Sequence, residues 1–307
     1  MKIKLLIIAC LLSCPAAVLA DPWSAQNTYM PTRVGPEGDY ETYKDALNRR
    51  AQTVVAGVPS YLWRHGCGPT AAGMVIGYHD GSGYPLLIPG DASTQTNAVD
   101  QAIATGDGAG THYSDYSQPI DSPPNLQQDK SQLGGAHTPH DCLGDFMQTS
   151  WSSRGNYYGW SWNTDVPGAL TGYTNTYINN TYSAGYTATS WFKWWGHSTN
   201  PFTFADLVAE INANRPMVFL VDSNGDGDTD HFVPAIGYRL AGDVNPYDEY
   251  AFFDTWDNNV HWEKFHYIGQ DDLSWGVHSA MNYDIVPEPA TIFLLLLGGI
   301  AARRRRR

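Results

Sequence analysis

The chain has 307 residues, 42% of them hydrophobic and only 16% charged, with 30 glycines, 19 tyrosines and 11 tryptophans. That composition excludes a disordered acidic tail, a coiled coil and a collagen-like chain. The length suffices to bury a large core without metal or disulfide staples. The formal charge of −13 understates the body, because setting aside Lys2, Lys4 and the run of five arginines at 303–307 leaves eleven basic residues against 31 acidic ones. Such a surface repels phosphate backbones, so no nucleic-acid partner is expected.

In chain order, residues 1–20 read as a secretory signal. Lys2 and Lys4 form its charged start, residues 5–12 its apolar stretch, and Val18-Leu19-Ala20 a small-residue cleavage site. Leu11-Leu12-Ser13-Cys14 leaves a lipoprotein reading open. Residues 21–57 form an N-terminal extension in which 40–54 is patterned as an amphipathic helix. Residues 69–78 read as a short buried helix, 98–104 and 141–151 as further helices, and the Gly/Ser/Asp/Pro-rich stretch 81–135 mostly as loop.

Residues 185–195 alternate like one strand. Residues 204–214 form a helix started by Thr203, with Asp206 three residues on as in a capping box. Residues 217–221, 232–238, 250–253 and 261–267 read as strands. Helices first and antiparallel strands last argue an α+β fold with segregated layers. The body spans 58–285 and is loop-rich near 80–200.

The end of the chain reads Val286-Pro287-Glu288-Pro289, then an apolar run over 292–302, then the arginines. Eleven apolar residues fall short of the ~20 that span a bilayer. The arrangement resembles the PEP-CTERM sorting signal of Gram-negative envelope proteins. The resemblance implies an exosortase partner, only transient membrane contact through residues 286–307, and export to the envelope or extracellular matrix. A plain tail anchor is the alternative.

Cys10 and Cys14 lie in the leader, so the body holds Cys67 and Cys142. In an exported chain these could form one disulfide. The context Arg64-His65-Gly66-Cys67-Gly68-Pro69-Thr70-Ala71-Ala72 instead sets the first thiol at a helix start, where unpaired N–H groups and the helix dipole lower a thiol pKa. A cysteine nucleophile needs a base and a group that orients it. His231 heads the strand Phe232-Val233-Pro234-Ala235-Ile236-Gly237-Tyr238, and Asp254-Thr255-Trp256 ends the next.

Together these segments resemble the C-thirty-nine-like branch of papain-like cysteine peptidases. The resemblance implies a papain-like fold with N-terminal helices packed on a C-terminal antiparallel sheet, and beside the compact bacteriocin-processing domains it makes the stretch near 80–200 an insertion. It also implies hydrolysis of peptide bonds in a peptide or protein substrate, with Cys67 as nucleophile, His231 as base and Asp254 as orienter. Where papain-like enzymes carry an oxyanion-hole glutamine this chain has Tyr61, with Trp63, Arg64 and His65 as substitutes to consider.

Residues 222–230 carry oxygen side chains at alternate positions, Asp222, Asn224, Asp226, Asp228 and Asp230, with Gly227 at the sixth. That is the first half of a calcium loop without its twelfth-position glutamate. Four aspartates in nine residues repel one another unless a cation is present. A structural Ca²⁺ is the expected metal, against an acidic hairpin turn, and no organic cofactor is expected. Cys142 reads as a buried small hydrophobe. His137 and His140 have a ligand-like spacing without an evident partner pair, and the tryptophans of 191–195 read as strand core rather than a sugar platform. The leading expectation is an exported thiol peptidase. A catalytically inactive matrix or binding protein of the same fold and a disulfide-stapled structural domain are the alternatives.

Overall fold

The computed structural model describes residues 51–105, 112, 140–150, 159–242, 245–270 and 273–287. The chain separates into two compact units, Met1–Lys44 and Asp45–Arg307. The first lies outside the described residues, and the fold is that of the second. The leader, residues 40–50 of the expected first helix, His137, most of the 81–135 loop and nearly all of the terminal sorting segment also fall outside the described residues.

Among the described residues, nine strands and a set of helices follow in order. They are β1 (Gln52–Val54), α1 (Cys67–Gly81), α2 (Asn97–Ile103) and α3 (Leu143–Phe146). Then comes α4 (Val166–Gly172), which runs through the π-helical segment Tyr173–Ile178 into α5 (Asn179–Tyr182). The rest are β2 (Tyr186–Thr189), β3 (Phe192–Trp194), α6 (Phe204–Asn212), β4 (Met217–Asp222), β5 (His231–Arg239), β6 (Glu249–Phe252), β7 (His261–Lys264), β8 (Gly276–Met281) and β9 (Asp284–Pro287). The fold is α+β. A seven-stranded antiparallel sheet runs β3-β8-β4-β5-β6-β7, and β1 pairs with the far half of β5, Val54 opposite Gly237. A second, two-stranded sheet joins β2 to β9.

Alternation along β4 explains the layers. Val218 and Leu220 point to one face, with Phe232 and Ile236 of β5, and pack beneath α1, α2 and α4 through Ala72, Val75, Ile103 and Leu170. Met217, Phe219 and Val221 point to the other, with Val233, Ala235 and Phe252, and meet Leu207 and Ile211 of α6. Both faces are covered, so β4 and β5 read as near-continuous apolar runs. Helix α6 begins at a capping box: the Thr203 hydroxyl accepts from the Asp206 N–H at 3.3 Å and the Asp206 carboxylate accepts from the Thr203 N–H at 2.8 Å.

Four expectations are corrected. Residues 52–54 are a strand, because sheet pairing with β5 outweighs helical periodicity at the end of that segment. The stretch 185–195 is two strands in two sheets, broken at Ser190–Trp191, where Ser190 donates to the Asn282 carbonyl and Trp191 N–H to the Asn282 side chain. The helix over 141–151 is confined to Leu143–Phe146 in its described part. Helices do not simply precede strands: β1, β2 and β3 come from before or within the segment read as an insertion, which also holds the unforeseen helical run from Val166 to Tyr182.

Candidate active site

Helix α1 starts at Cys67, and its small, apolar residues bury nearly its whole surface. A tight γ-turn precedes it. His65 has φ 62°, and the Gly66 N–H donates to the Arg64 carbonyl at 2.6 Å. Such a turn is strained, and strain of this kind collects at functional sites. Thr70 holds it from inside the helix, accepting from the Arg64 N–H at 3.0 Å and donating to the Gly66 carbonyl at 2.7 Å.

Gly66 also lets a second segment approach. A side chain there would collide with the Gly159 carbonyl, and one on Gly159, at φ +79°, would come within 2.7 Å of the His65 carbonyl. This backbone-on-backbone contact lays Gly159, Trp160, Ser161, Trp162 and Asn163 beside Cys67 as one wall of a cavity of about 390 Å³. Asp230, His231, Phe232, Trp256 and His278 also line it. Trp160 and Trp162 stand half exposed at its rim.

His231 is buried at the head of β5. Its Nε2 lies 2.7 Å from the main-chain carbonyl oxygen of Asp254. A carbonyl only accepts, so Nε2 carries the proton and Nδ1 keeps its lone pair. Trp256 stacks on the ring at 4.3 Å and 17°, and Trp275 meets it edge-on at 6.1 Å. Burial lowers the imidazole from its usual 6.5 to about 4, and the Asp254 carbonyl only partly opposes this.

Asp254 meets His231 through its main-chain carbonyl and not through its carboxylate. Its Oδ1 accepts the N–H groups of Trp256 at 2.8 Å and Asp257 at 3.0 Å, and its Oδ2 lies 3.3 Å from His261 Nε2. The carboxylate therefore closes the turn, and the turn aims the carbonyl at His231 and Trp256 across its face. The carbonyl of Thr255, at φ 68°, accepts from the Trp63 N–H at 2.7 Å, tying this turn to the segment leading into Cys67.

The thiol departs from expectation. Burial raises Cys67 from 9.0 to about 11, although the N–H groups of Phe232, Gly68 and Cys67 itself pull it down and Asp230 pushes it up. Desolvation outweighs the helix N-terminus. At neutral pH the resting pair is thiol and neutral imidazole. Cys67 and Cys142 are both free thiols, which removes the disulfide alternative.

Tyr61, in the glutamine position, is fully buried and its hydroxyl donates to the Ala92 carbonyl. Arg64 is equally committed, binding the Ala104 carbonyl at 2.9 Å and the Asp100 carbonyl at 2.9 Å. His65 turns away from the cavity, its ring 4.3 Å from that of His112. Of the three substitutes only Trp63 lines the cavity. The N–H groups of Cys67 and Gly68, at the first turn of α1, remain outside the helical ladder.

The 222–230 loop joins β4 to β5 beside His231. Asp222 accepts from the N–H groups of Gly225 and Gly227, both at 2.7 Å, Asp226 from Asp228 N–H at 2.9 Å, and Asp230 from the N–H and hydroxyl of Ser223, both at 2.8 Å. Asn224 accepts from Asp226 N–H at 2.9 Å. Among the described residues, no three of these carboxylates bring ligand atoms within 4.8 Å of one another.

Sequence reasoning missed the 159–163 wall, His278 and the stacking role of Trp256. The run Gly159-Trp160-Ser161-Trp162 was the available signal, since exposed tryptophans between small residues mark a surface that binds something.

A thiol at a helix start and an imidazole at the head of a sheet strand, both lining one cavity, fit an α+β protein of papain-like type. Residues 45–275 match the model of the Peptidase C39-like family, and the chain belongs to that family. Residues 286–307 match the PEP-CTERM protein-sorting motif. The motif indicates export and cell-envelope sorting in Gram-negative bacteria and implies recognition by an exosortase. A comparison with curated proteins finds no match.

Proposed function

We propose that the protein is an exported cysteine peptidase acting in the cell envelope or extracellular matrix. The observation that carries this reading is the anchored ring of His231: its Nε2–H is fixed on the Asp254 carbonyl, so its Nδ1 lone pair serves as base in the cavity that Cys67 lines. In the first step the Cys67 proton passes to Nδ1 as sulfur bonds to the peptide carbonyl carbon. The resulting oxyanion takes the N–H groups of Cys67 and Gly68. The C–N bond then breaks, and the amine leaves with the proton from His231. Water, deprotonated by the same nitrogen, hydrolyses the thioester and frees the thiol.

Because both groups start neutral, proton transfer accompanies attack and no standing ion pair precedes it. The test is turnover of a fluorogenic peptide library by the mature protein and by Cys67→Ala. Cleavage by the first and none by the second is expected, and equal cleavage by both removes the proposal.

A second reading, an inactive binding protein of the same fold, draws support from the committed hydroxyl of Tyr61 and the raised thiol. It predicts that library peptides bind to both proteins and are cleaved by neither. Separately, calcium in the 222–230 loop is proposed as structural, supported by the alternating oxygen side chains and their crowding of negative charge. A hundredfold excess over Kd adds about 2.7 kcal/mol to stability. Melting points in calcium and in chelator should therefore differ, with Asp226→Ala removing the difference. Identical melts would leave the loop a turn.

A further inference from the structure

Outside the cavity, next to His65 of the γ-turn, lies a second thiol, imidazole and carboxylate. Cys142, His112 and Asp145 are almost wholly buried, at 0%, 3% and 1% exposure, and one ligand atom of each lies within 4.8 Å of the other two. His112 Nε2 stands 3.1 Å from Asp145 Oδ1. Asp145 Oδ2 accepts the His140 N–H at 2.9 Å, so the carboxylate is held as a bridge with one oxygen on the backbone and the other facing the imidazole. The His65 ring lies against Gly144 and 4.3 Å from the ring of His112.

We propose that His112, Cys142 and Asp145 bind one zinc ion. Sulfur, nitrogen and oxygen donors together are the mixed set that zinc takes and that calcium and magnesium do not. Two ligands bound at about 2.0 Å to a tetrahedral ion stand about 3.3 Å apart, close to the separation of His112 and Asp145. Binding replaces the Cys142 S–H proton by the metal and releases that proton to solvent. It also supplies the cation that a buried thiolate and carboxylate side by side require.

The three side chains fill three positions, and the fourth goes to water or to His65. The ion then joins chain positions 112, 142 and 145 beside His65. It is distinct from the Asp254, Asp257 and His261 group, which lies at the turn behind His231 and has no sulfur.

The experiment is metal analysis of the full chain purified from zinc-supplemented medium. About one zinc per chain is expected in the parent and in Cys67→Ser, and about a tenth of that or less in Cys142→Ser and in His112→Gln. Cobalt substituted for the zinc should give a thiolate charge-transfer band that Cys142→Ser abolishes and Cys67→Ser keeps. Because a variant could fail to fold, the cobalt band is read first on the parent, where it needs no substitution. A folded parent that holds no zinc and gives no cobalt–thiolate band overturns the proposal. So does zinc that survives Cys142→Ser and is lost on His261→Gln.

Discussion

One small domain contains the same three residue types twice, and the two sets are built differently. At Cys67 the thiol lines a cavity, the imidazole hangs from a main-chain carbonyl, and the carboxylate of Asp254 is turned away to close a turn. At Cys142 the thiol is sealed from solvent and the carboxylate of Asp145 meets the imidazole directly. Residue type alone does not set chemistry. A thiol with substrate access and a neutral base with a free lone pair is arranged for attack. A thiol sealed from solvent beside an imidazole and a carboxylate, with ligand atoms within 4.8 Å of one another, is arranged to hold something fixed.

The widest separation between the two sets should appear on removing each sulfur. Cys67→Ala should lower peptide turnover on the order of 10⁴-fold or more while leaving the melting point nearly unchanged. Cys142→Ser should do the reverse, losing stability while the surviving folded fraction still turns over substrate. Matching losses of turnover at unchanged stability in both variants would end the distinction.

pH separates the sets next. His231 is held near 4 in the folded state against 6.5 when free, so between those values the unfolded chain binds the extra proton. The stability that this group confers is therefore full above pH 6.5 and lost as pH falls toward 4. The loss amounts to about 3 kcal/mol across that window. Activity should share the acid limit, with kcat/KM holding through pH 5 and falling near 4. An acid limb close to 6.5 would show a solvated ring and break the proposed resting state. On the alkaline side, iodoacetamide labelling of Cys67 should climb about tenfold per pH unit through neutrality, as a thiol near 11 requires. Cys142, with no exposure, should stay unlabelled until the protein unfolds.

The cavity wall gives a third test. Gly159→Ala puts a side chain at a positive φ and against the His65 carbonyl, and should cost about 2 kcal/mol in denaturant melts. It should also raise KM, because the wall bearing Trp160 and Trp162 is displaced. A variant of full stability and unchanged KM would show that the 159–163 segment does not depend on this contact.

The smallest effect expected is the most diagnostic for Asp254. Asparagine retains an oxygen for the Trp256 and Asp257 N–H groups, so Asp254→Asn should stay within about threefold of the parent in kcat/KM. Asp254→Ala frees the turn and should lose about 10–100-fold. If asparagine were as damaging as alanine, the negative charge rather than the turn would be what matters.

Much of this was legible in the chain itself. The thiol at a Pro-and-Gly-marked helix start, the capping box of Thr203 and Asp206, and the apolar strands β4 and β5 follow from local periodicity and local hydrogen bonding. These act over three or four residues and do not need the rest of the fold. Placing His231 and Asp254 near Cys67 came from the resemblance of short segments, and the atom that Asp254 uses was not readable, because sequence names a side chain and not which of its atoms faces inward. The pKa of Cys67 went the opposite way for a related reason. A helix start pulls it down locally, but desolvation depends on what packs around it, and that includes Phe232, 165 residues away. The 159–163 wall and the His112, Cys142 and Asp145 group are likewise tertiary products, assembled by backbone contact at Gly66 and by burial among residues far apart in the chain. Sequence determined which groups were available and where each local element begins. Only the packed structure decided which of them share a dielectric, which face solvent and which meet, because those are properties of the space between elements rather than of any one of them.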